Sequence, residues 1–212
     1  MKRLVLFALF ILNISALSAQ IVTPITQTTT PLDNNDNTIR PTTTKSAPDK
    51  ATDTKPAMLS TNDIASNIAH MKTLASFYNA VQIAGLTETF KSKGPITIFV
   101  PDDQAFAKLP PGKLDTLLKP AHKYDLIALI TNHAIAGKLT RGNIVKQINS
   151  GKKVAIFTTL AGSKLTGKID AGGNIILTDE NGGQSTITQV NIPQSNGMLF
   201  VINAVLIPKN KL

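Results

Sequence analysis

Apolar and polar positions follow three textures along the chain. Met1-Lys2-Arg3 is a short positive start, and Leu4 to Leu12 is an unbroken apolar run of mostly bulky side chains. The small residues Ser15, Ala16, Ser18 and Ala19 come next. The run falls short of the roughly 20 apolar residues that a membrane-spanning helix needs. Charged, apolar, then small is the order of a secretory signal over residues 1–19, with cleavage after Ala19 or after Ser18. An uncleaved N-terminal anchor is the alternative. No other segment of the sequence could span a bilayer. The expectation is an exported protein with no stable membrane insertion after signal cleavage. Periplasmic, cell-surface and secreted locations all stay open.

Residues 20–60 have no hydrophobic period. They contain Thr28-Thr29-Thr30-Pro31 and Pro41-Thr42-Thr43-Thr44, with further prolines and no aromatic residue. Such a stretch buries too little apolar surface to offset the entropy of ordering, and its prolines favour an extended chain. The expectation is a disordered Thr/Pro-rich spacer. It would hold the following domain away from a wall or membrane, carry O-glycans, or serve as a passive leader.

The texture of a folded domain begins at Thr61 and runs to residue 212. Leu74, Phe77, Val81 and Ala84 recur at helical spacing, and Gly85 can end that helix in a left-handed conformation. Ile96 to Val100 predicts a short buried strand after the Lys93-Gly94-Pro95 turn. Pro101 stops it, and Asp102 can cap a helix carrying Ala105 and Phe106. Two more helices are predicted around Leu114–Leu118 and Tyr124–Ile130. After His133 the period shifts towards two. Strands are predicted at Val154–Phe157, Lys164–Ile169, Ile175–Thr178, Ser185–Val190 and Met198–Leu206, with Gly172-Gly173-Asn174 and Asn181-Gly182-Gly183 as turns. Helices first and a β-meander after them predict an α+β fold around one core.

Composition narrows the chemistry. There is no Cys, so disulfides, thiolate metal sites and a Cys nucleophile are excluded. There is no Trp and aromatics are 5%, so the core must be mostly aliphatic and no Trp platform for sugars or bases exists. The formal net charge is +9, of which Lys2 and Arg3 supply two. Four cations cancel four anions in residues 20–60, so 16 basic against 9 acidic residues leave +7 in residues 61–212. A basic domain attracts anionic polymers such as lipopolysaccharide, teichoic acid or glycosaminoglycan, or simply stays soluble. The lysines are scattered and not interleaved with aromatics, which argues against nucleic acid.

Three ordered motifs carry a resemblance. Thr97-Ile98-Phe99-Val100-Pro101-Asp102-Asp103-Gln104-Ala105-Phe106 resembles the first signature of the fasciclin domain family. Asn196-Gly197-Met198-Leu199-Phe200-Val201-Ile202-Asn203-Ala204-Val205-Leu206-Ile207-Pro208 resembles the second. Ile130-Thr131-Asn132-His133-Ala134-Ile135-Ala136-Gly137-Lys138-Leu139 looks like the family's central Tyr-His segment. The resemblance covers roughly residues 61–211. It implies a β-sandwich wedge with helices packed on it, used as a non-enzymatic extracellular or surface module in adhesion. It also implies that the signature positions act mainly structurally. The chain departs from the family where Asn132 replaces the Tyr, Phe200 replaces a His, and Asn191 before Ile192 replaces an acidic residue. Animal members place integrin contact on the Tyr-His segment and on that acidic residue. The scaffold and a broad adhesive role therefore carry over, and integrin binding does not.

The candidate interaction segment comprises Asn132, His133, Asn191 and Ile192. His133 is read either as part of a ligand surface or as a buried His whose ring bonds the backbone. His70 and His122 have no partners at metal-ligand spacing. Asp170, Asn174, Asp179, Glu180 and Asn181 offer oxygens but lack the spacing of a calcium loop, and hairpin turn chemistry explains them better. Asp102-Asp103 reads as helix capping sooner than as an acid–base pair. No Gly-x-Ser-x-Gly or phosphate-cradling loop occurs. No catalytic residue, metal or cofactor is expected. The expected partner is a cell-surface or matrix protein or a glycan, and the alternative is an anionic envelope polymer or lipid.

Overall fold

The computed structural model describes residues 57–92 and 94–209. The signal expected over 1–19 and most of the spacer expected over 20–60 lie outside the described residues. Of the spacer's last residues, Met58 packs against the core and Leu59 donates its N–H to Asn67 Oδ1 at 2.9 Å.

Among the described residues, seven short α-helices pack with one seven-stranded sheet around two apolar cores. α1 (Ile64–His70) starts at Asp63, whose carboxylate accepts the Ser66 N–H. α2 (Ala75–Ala84) ends as expected at Gly85, which has φ 76°. α3 (Thr87–Lys91) leads to strand β1 (Ile96–Pro101). Asp102 caps α4 (Asp103–Ala107) by accepting the Ala105 N–H, again as expected. α5 (Lys113–Leu117) and α6 (Lys123–Asn132) complete the helical half. β2 (Ala134–Ala136), α7 (Arg141–Ser150), β3 (Ala155–Thr158), β4 (Lys164–Ile169), β5 (Ile175–Thr178), β6 (Gln184–Gln194) and β7 (Gly197–Ile202) follow.

The strand order is β2-β1-β7-β6-β5-β4-β3. β3 to β7 form an antiparallel meander, but β7 finishes beside β1 and parallel to it, with Phe99 opposite Phe200. A bridge between Ile135 and Thr159, and a 2.8 Å bond from Leu160 N–H to the Ala134 carbonyl, join the two outer strands. The sheet is thus nearly closed on itself, which protects its edges. Successive residues of a strand face opposite sides. Ile98, Val100, Leu199 and Val201 face the first core, where Ile64, Phe77, Phe90 and Leu129 of the helices meet them. Phe99, Phe200 and Ile202 face the second core with Phe157, Leu165, Leu177, Ile144 and Ile148. The Phe99 and Phe200 rings stack 5.4 Å apart.

The α+β class, with helices on a wedge-like sheet, is the expected one. Some details differ from the sequence reading. Residues 141–150 form a helix, although the period after His133 shifts towards two. Thr140 and Asn143 form a reciprocal cap there, and Ile144 and Ile148 share one buried face. Two cores stand where one was expected, because the central strands are covered on both faces. The last strand ends at Ile202, and the chain continues to Leu206 held by side chains.

Candidate functional site

Three buried polar residues, Asn132, His133 and Thr159, meet at the seam between β2 and β3. Asn132 closes α6, and His133 follows it; both have 0% exposure. The His133 ring lies edge-on to Phe77, with centroids 5.9 Å apart. Its Nδ1 lies 2.8 Å from the Leu129 carbonyl, and its Nε2 accepts the Leu206 N–H at 2.9 Å. A ring that accepts at Nε2 carries its proton at Nδ1, so it is neutral and donates to Leu129. Burial lowers its pKa from 6.5 to about 4, only partly offset by the bond to Leu129. Asn132 donates through Nδ2 to the Leu206 carbonyl at 3.1 Å, and its Oδ1 lies 3.3 Å from the Thr159 hydroxyl. Two consecutive side chains therefore satisfy both polar groups of Leu206, and one of them also reaches the strand that closes the sheet. The His133 carbonyl accepts from Phe99 N–H at 2.8 Å. Four chain segments meet here, which is a structural clasp.

Asn191 and Ile192 belong elsewhere. Asn191 is exposed at an irregularity of β6 and has φ 54°. Its Oδ1 accepts the Arg141 N–H at 2.7 Å, at the start of α7. Ile192 is half-buried against the first core. No hydrogen bond or strand pairing joins Asn191 and Ile192 to the Asn132–His133 clasp.

The remaining signature residues hold backbone. Asp103 Oδ1 accepts the Ser76 N–H at 2.8 Å, tying α4 to α2. The Thr97 hydroxyl donates to the Gly137 carbonyl at 2.6 Å and accepts the Leu139 N–H at 2.8 Å. Asn196 accepts from Ile64 N–H and donates to the Phe90 carbonyl. At Gly197 a Cβ would stand 1.9 Å from the Ile96 carbonyl oxygen, so glycine is required by the close approach of β1. Pro101, Ala105, Phe106, Val205, Leu206 and Pro208 are buried.

Sequence reasoning did not single out a second clasp. Asp179 is 6% exposed; its Oδ1 accepts from Asn181 and Gly183 N–H at 2.9 and 2.8 Å, and its Oδ2 from Ile207 N–H at 2.8 Å. The first two bonds are the turn chemistry expected of this hairpin. The third spans 28 residues and leaves no local signal. Asp170 accepts from Asn174 through both oxygens, which with two neighbouring N–H groups hold its carboxyl below the usual range. Among the described residues no cluster of three or more His, Asp or Glu could hold a metal ion.

The concave surface is shallow. One groove of about 490 Å³ lies between Lys91, Pro95, Lys138, Ser195 and Asn196, at the start of β1 and β7. Another of about 450 Å³ lies on the outer face of β4–β6, lined by Thr166, Lys168, Ile176, Thr178 and Gln184. Among the described residues no helix is long and apolar enough to cross a membrane.

Comparison with known proteins agrees with this geometry. The fasciclin domain model matches residues 72–208. The protein sll1483 of Synechocystis sp. is 33% identical over 137 residues, covering 65% of this chain and 68% of that protein. A second Synechocystis protein, sll1735, is 29% identical over 133 residues, covering 63% and 88%. Among solved structures, a FAS1 domain pair from the insect cell adhesion molecule fasciclin I superposes with a TM-score of 0.62 at 15% identity. That match covers 71% of this chain and 52% of the other. Matched by the family model across both signatures and sharing the fold, the chain belongs to the fasciclin domain family.

Proposed function

We propose that this protein is an exported, non-enzymatic adhesion or surface-interaction module that acts by protein–protein or protein–glycan contact. The observation that carries the reading is where the polar side chains are committed. His133, Asn132 and Asp179, the buried groups most able to do chemistry, are engaged in holding distant backbone together. What remains for a partner is a rigid exterior with shallow grooves, which suits contact between surfaces better than turnover of a small substrate. The fold shared with an insect cell adhesion molecule supports the same reading, although a fold alone does not fix function. The test is adhesion itself. Beads coated with the purified full-length protein should bind cells, matrix proteins or glycans above an albumin control, and binding to none of them sinks the reading.

The place of action proposed is outside the cytoplasm, after removal of residues 1–19 and with residues 20–60 as tether. Protease treatment of intact producing cells checks it. Loss of the domain favours the cell surface, and protection until the envelope is opened favours the periplasm.

A second reading, a binder of an anionic envelope polymer, is favoured by charge. The residues 61–212 carry the whole +7 excess, and the ion pairs among the described residues are Lys91–Glu88 and His122–Asp125. Most of the cations among the described residues thus stand outside ion pairs, where an anionic partner could meet them.

A further inference from the structure

From Leu126 to Ile169 the chain contains seven Lys and Arg residues and no Asp or Glu. All seven are exposed, and none takes part in an ion pair among the described residues. Two of them also stand in unusual backbone. The turn from α7 to β3 is closed by a 3.0 Å bond from Val154 N–H to the Gly151 carbonyl. Its central residues, Lys152 and Lys153, have φ 55° and 71°. A turn with both central residues at positive φ has the type I′ pattern, which favours Asn-Gly, and any other L-residue there is strained. The glycine of this turn is misplaced for relieving that strain: Gly151 has φ −93°. Among the described residues neither lysine side chain makes a hydrogen bond or ion pair that would explain its choice. Strain held at an exposed position without a structural return points to function.

The neighbours of the turn share its chemistry. Ala155 pairs with Gly167, so the turn lies beside Lys168, one residue beyond the pairing. Lys164, Thr166 and Lys168 alternate with the buried Leu165 and Gly167, which puts all three on the outer face. There the groove of about 450 Å³ presents Thr166, Thr178 and Gln184. Its one acid, Asp170, has both oxygens occupied by Asn174.

We propose that the Lys152–Lys153 turn and the groove beside Lys168 form a docking surface for a linear anionic polysaccharide. The lysines meet its sulfate, carboxylate or phosphate groups, and the hydroxyl and amide side chains of the groove meet its sugar hydroxyls. Nucleic acid fits less well, because no aromatic side chain stands by for base stacking and the turn offers no Arg fork. An anionic membrane fits less well too, since Ile156 and Leu160, 64% and 44% exposed on and just past the neighbouring strand, do not make the apolar face that insertion needs. This inference rests on the glycan side of the contact reading above.

The test uses purified full-length protein and immobilised dextran sulfate, with neutral dextran, duplex DNA and phosphatidylglycerol vesicles alongside at equal salt. The double variant Lys152→Asn/Lys153→Gly gives the turn its preferred residues while removing both charges. It should unfold at the same or a higher temperature than the parent and bind dextran sulfate roughly tenfold more weakly, about threefold for each lost contact. Lys164→Gln/Lys168→Gln should also weaken binding. Lys113→Gln/Lys123→Gln, on the helical side, should not. The proposal is overturned if the turn variant binds like the parent, or if the parent prefers DNA or vesicles. Beads carrying the parent separate the two readings. Adhesion without dextran sulfate binding sinks this inference alone, and turn-dependent dextran sulfate binding without adhesion sinks the adhesion reading alone.

Discussion

Every residue of β1 and β7 is buried, whereas β3 alternates between buried and exposed from Ala155 to Thr158 and β5 between buried and half-buried. The first pair has helices on one face and the second core on the other. The strands β3 to β5 are covered only from within. A strand packed on both faces has no side chain to spare for a partner. A strand packed on one face carries its structural residues and its free residues in alternation. In this protein the central pair fixes the fold, and the outer face of β3–β6, with the turn that leads into it, is where sequence can change without losing the fold.

Substitutions can break that comparison, starting with the largest effect. Phe99→Ala removes a ring stacked on Phe200 at the centre of the sheet and should cost about 3–5 kcal/mol in urea unfolding. Acid should reach the clasp next. The His133 pKa is about 4 in the fold and 6.5 unfolded, so the unfolded chain binds the extra proton. Stability from this group is complete above pH 6.5 and is lost as pH falls towards 4, by about 3 kcal/mol. His133→Gln should flatten that slope, and an unchanged slope would refute the clasp as its source. Asp179→Ala strands three N–H groups and should cost about 2 kcal/mol. Amide exchange at Ile207 should quicken in the same variant. Ile156→Thr, on the uncovered face, should stay within about 0.5 kcal/mol of the parent. A cost there comparable to that of Phe99→Ala would erase the distinction between the two regions.

Local signals were legible in the sequence. β4 and β5 lie where alternation and the Gly-rich turns predict them, Gly85 ends its helix, and Asp102 caps the next. The family motifs identified the fold because they fall on β1 and β7, the two strands buried on both faces. α7 leaves a weak signal although Ile144 and Ile148 have helical spacing, because only these two of its residues are buried and, Val145 apart, the rest is polar or glycine. β2 has three residues, too few to show a period. The parallel pairing of β1 with β7 leaves no sequence trace at all. The same holds for the clasps: Asn132 and His133 sit 74 and 73 residues from Leu206, and no local pattern announces such a partner. The Lys152–Lys153 turn was hidden for another reason. Its residues are poor type I′ formers, so sequence rules pass over the one place where those rules are broken.

The parallel pairing of β1 with β7 also sets an order of events in the life of the chain. Ile96 must find Gly197, roughly a hundred residues downstream, and Phe99 has no ring to stack on until Phe200 exists. A chain made from its N-terminus therefore carries a finished first signature strand whose long edge stays open while the whole meander is still being synthesised. Only the arrival of residues 197–202 fills the sheet's centre. Assembly must be slow and close to all-or-none, as expected of contacts so distant along the chain. A nascent protein stalled before Gly197 would expose Ile96 to Val100 as an apolar ribbon, and a chaperone that shields that ribbon would do more for its yield than any gain in final stability.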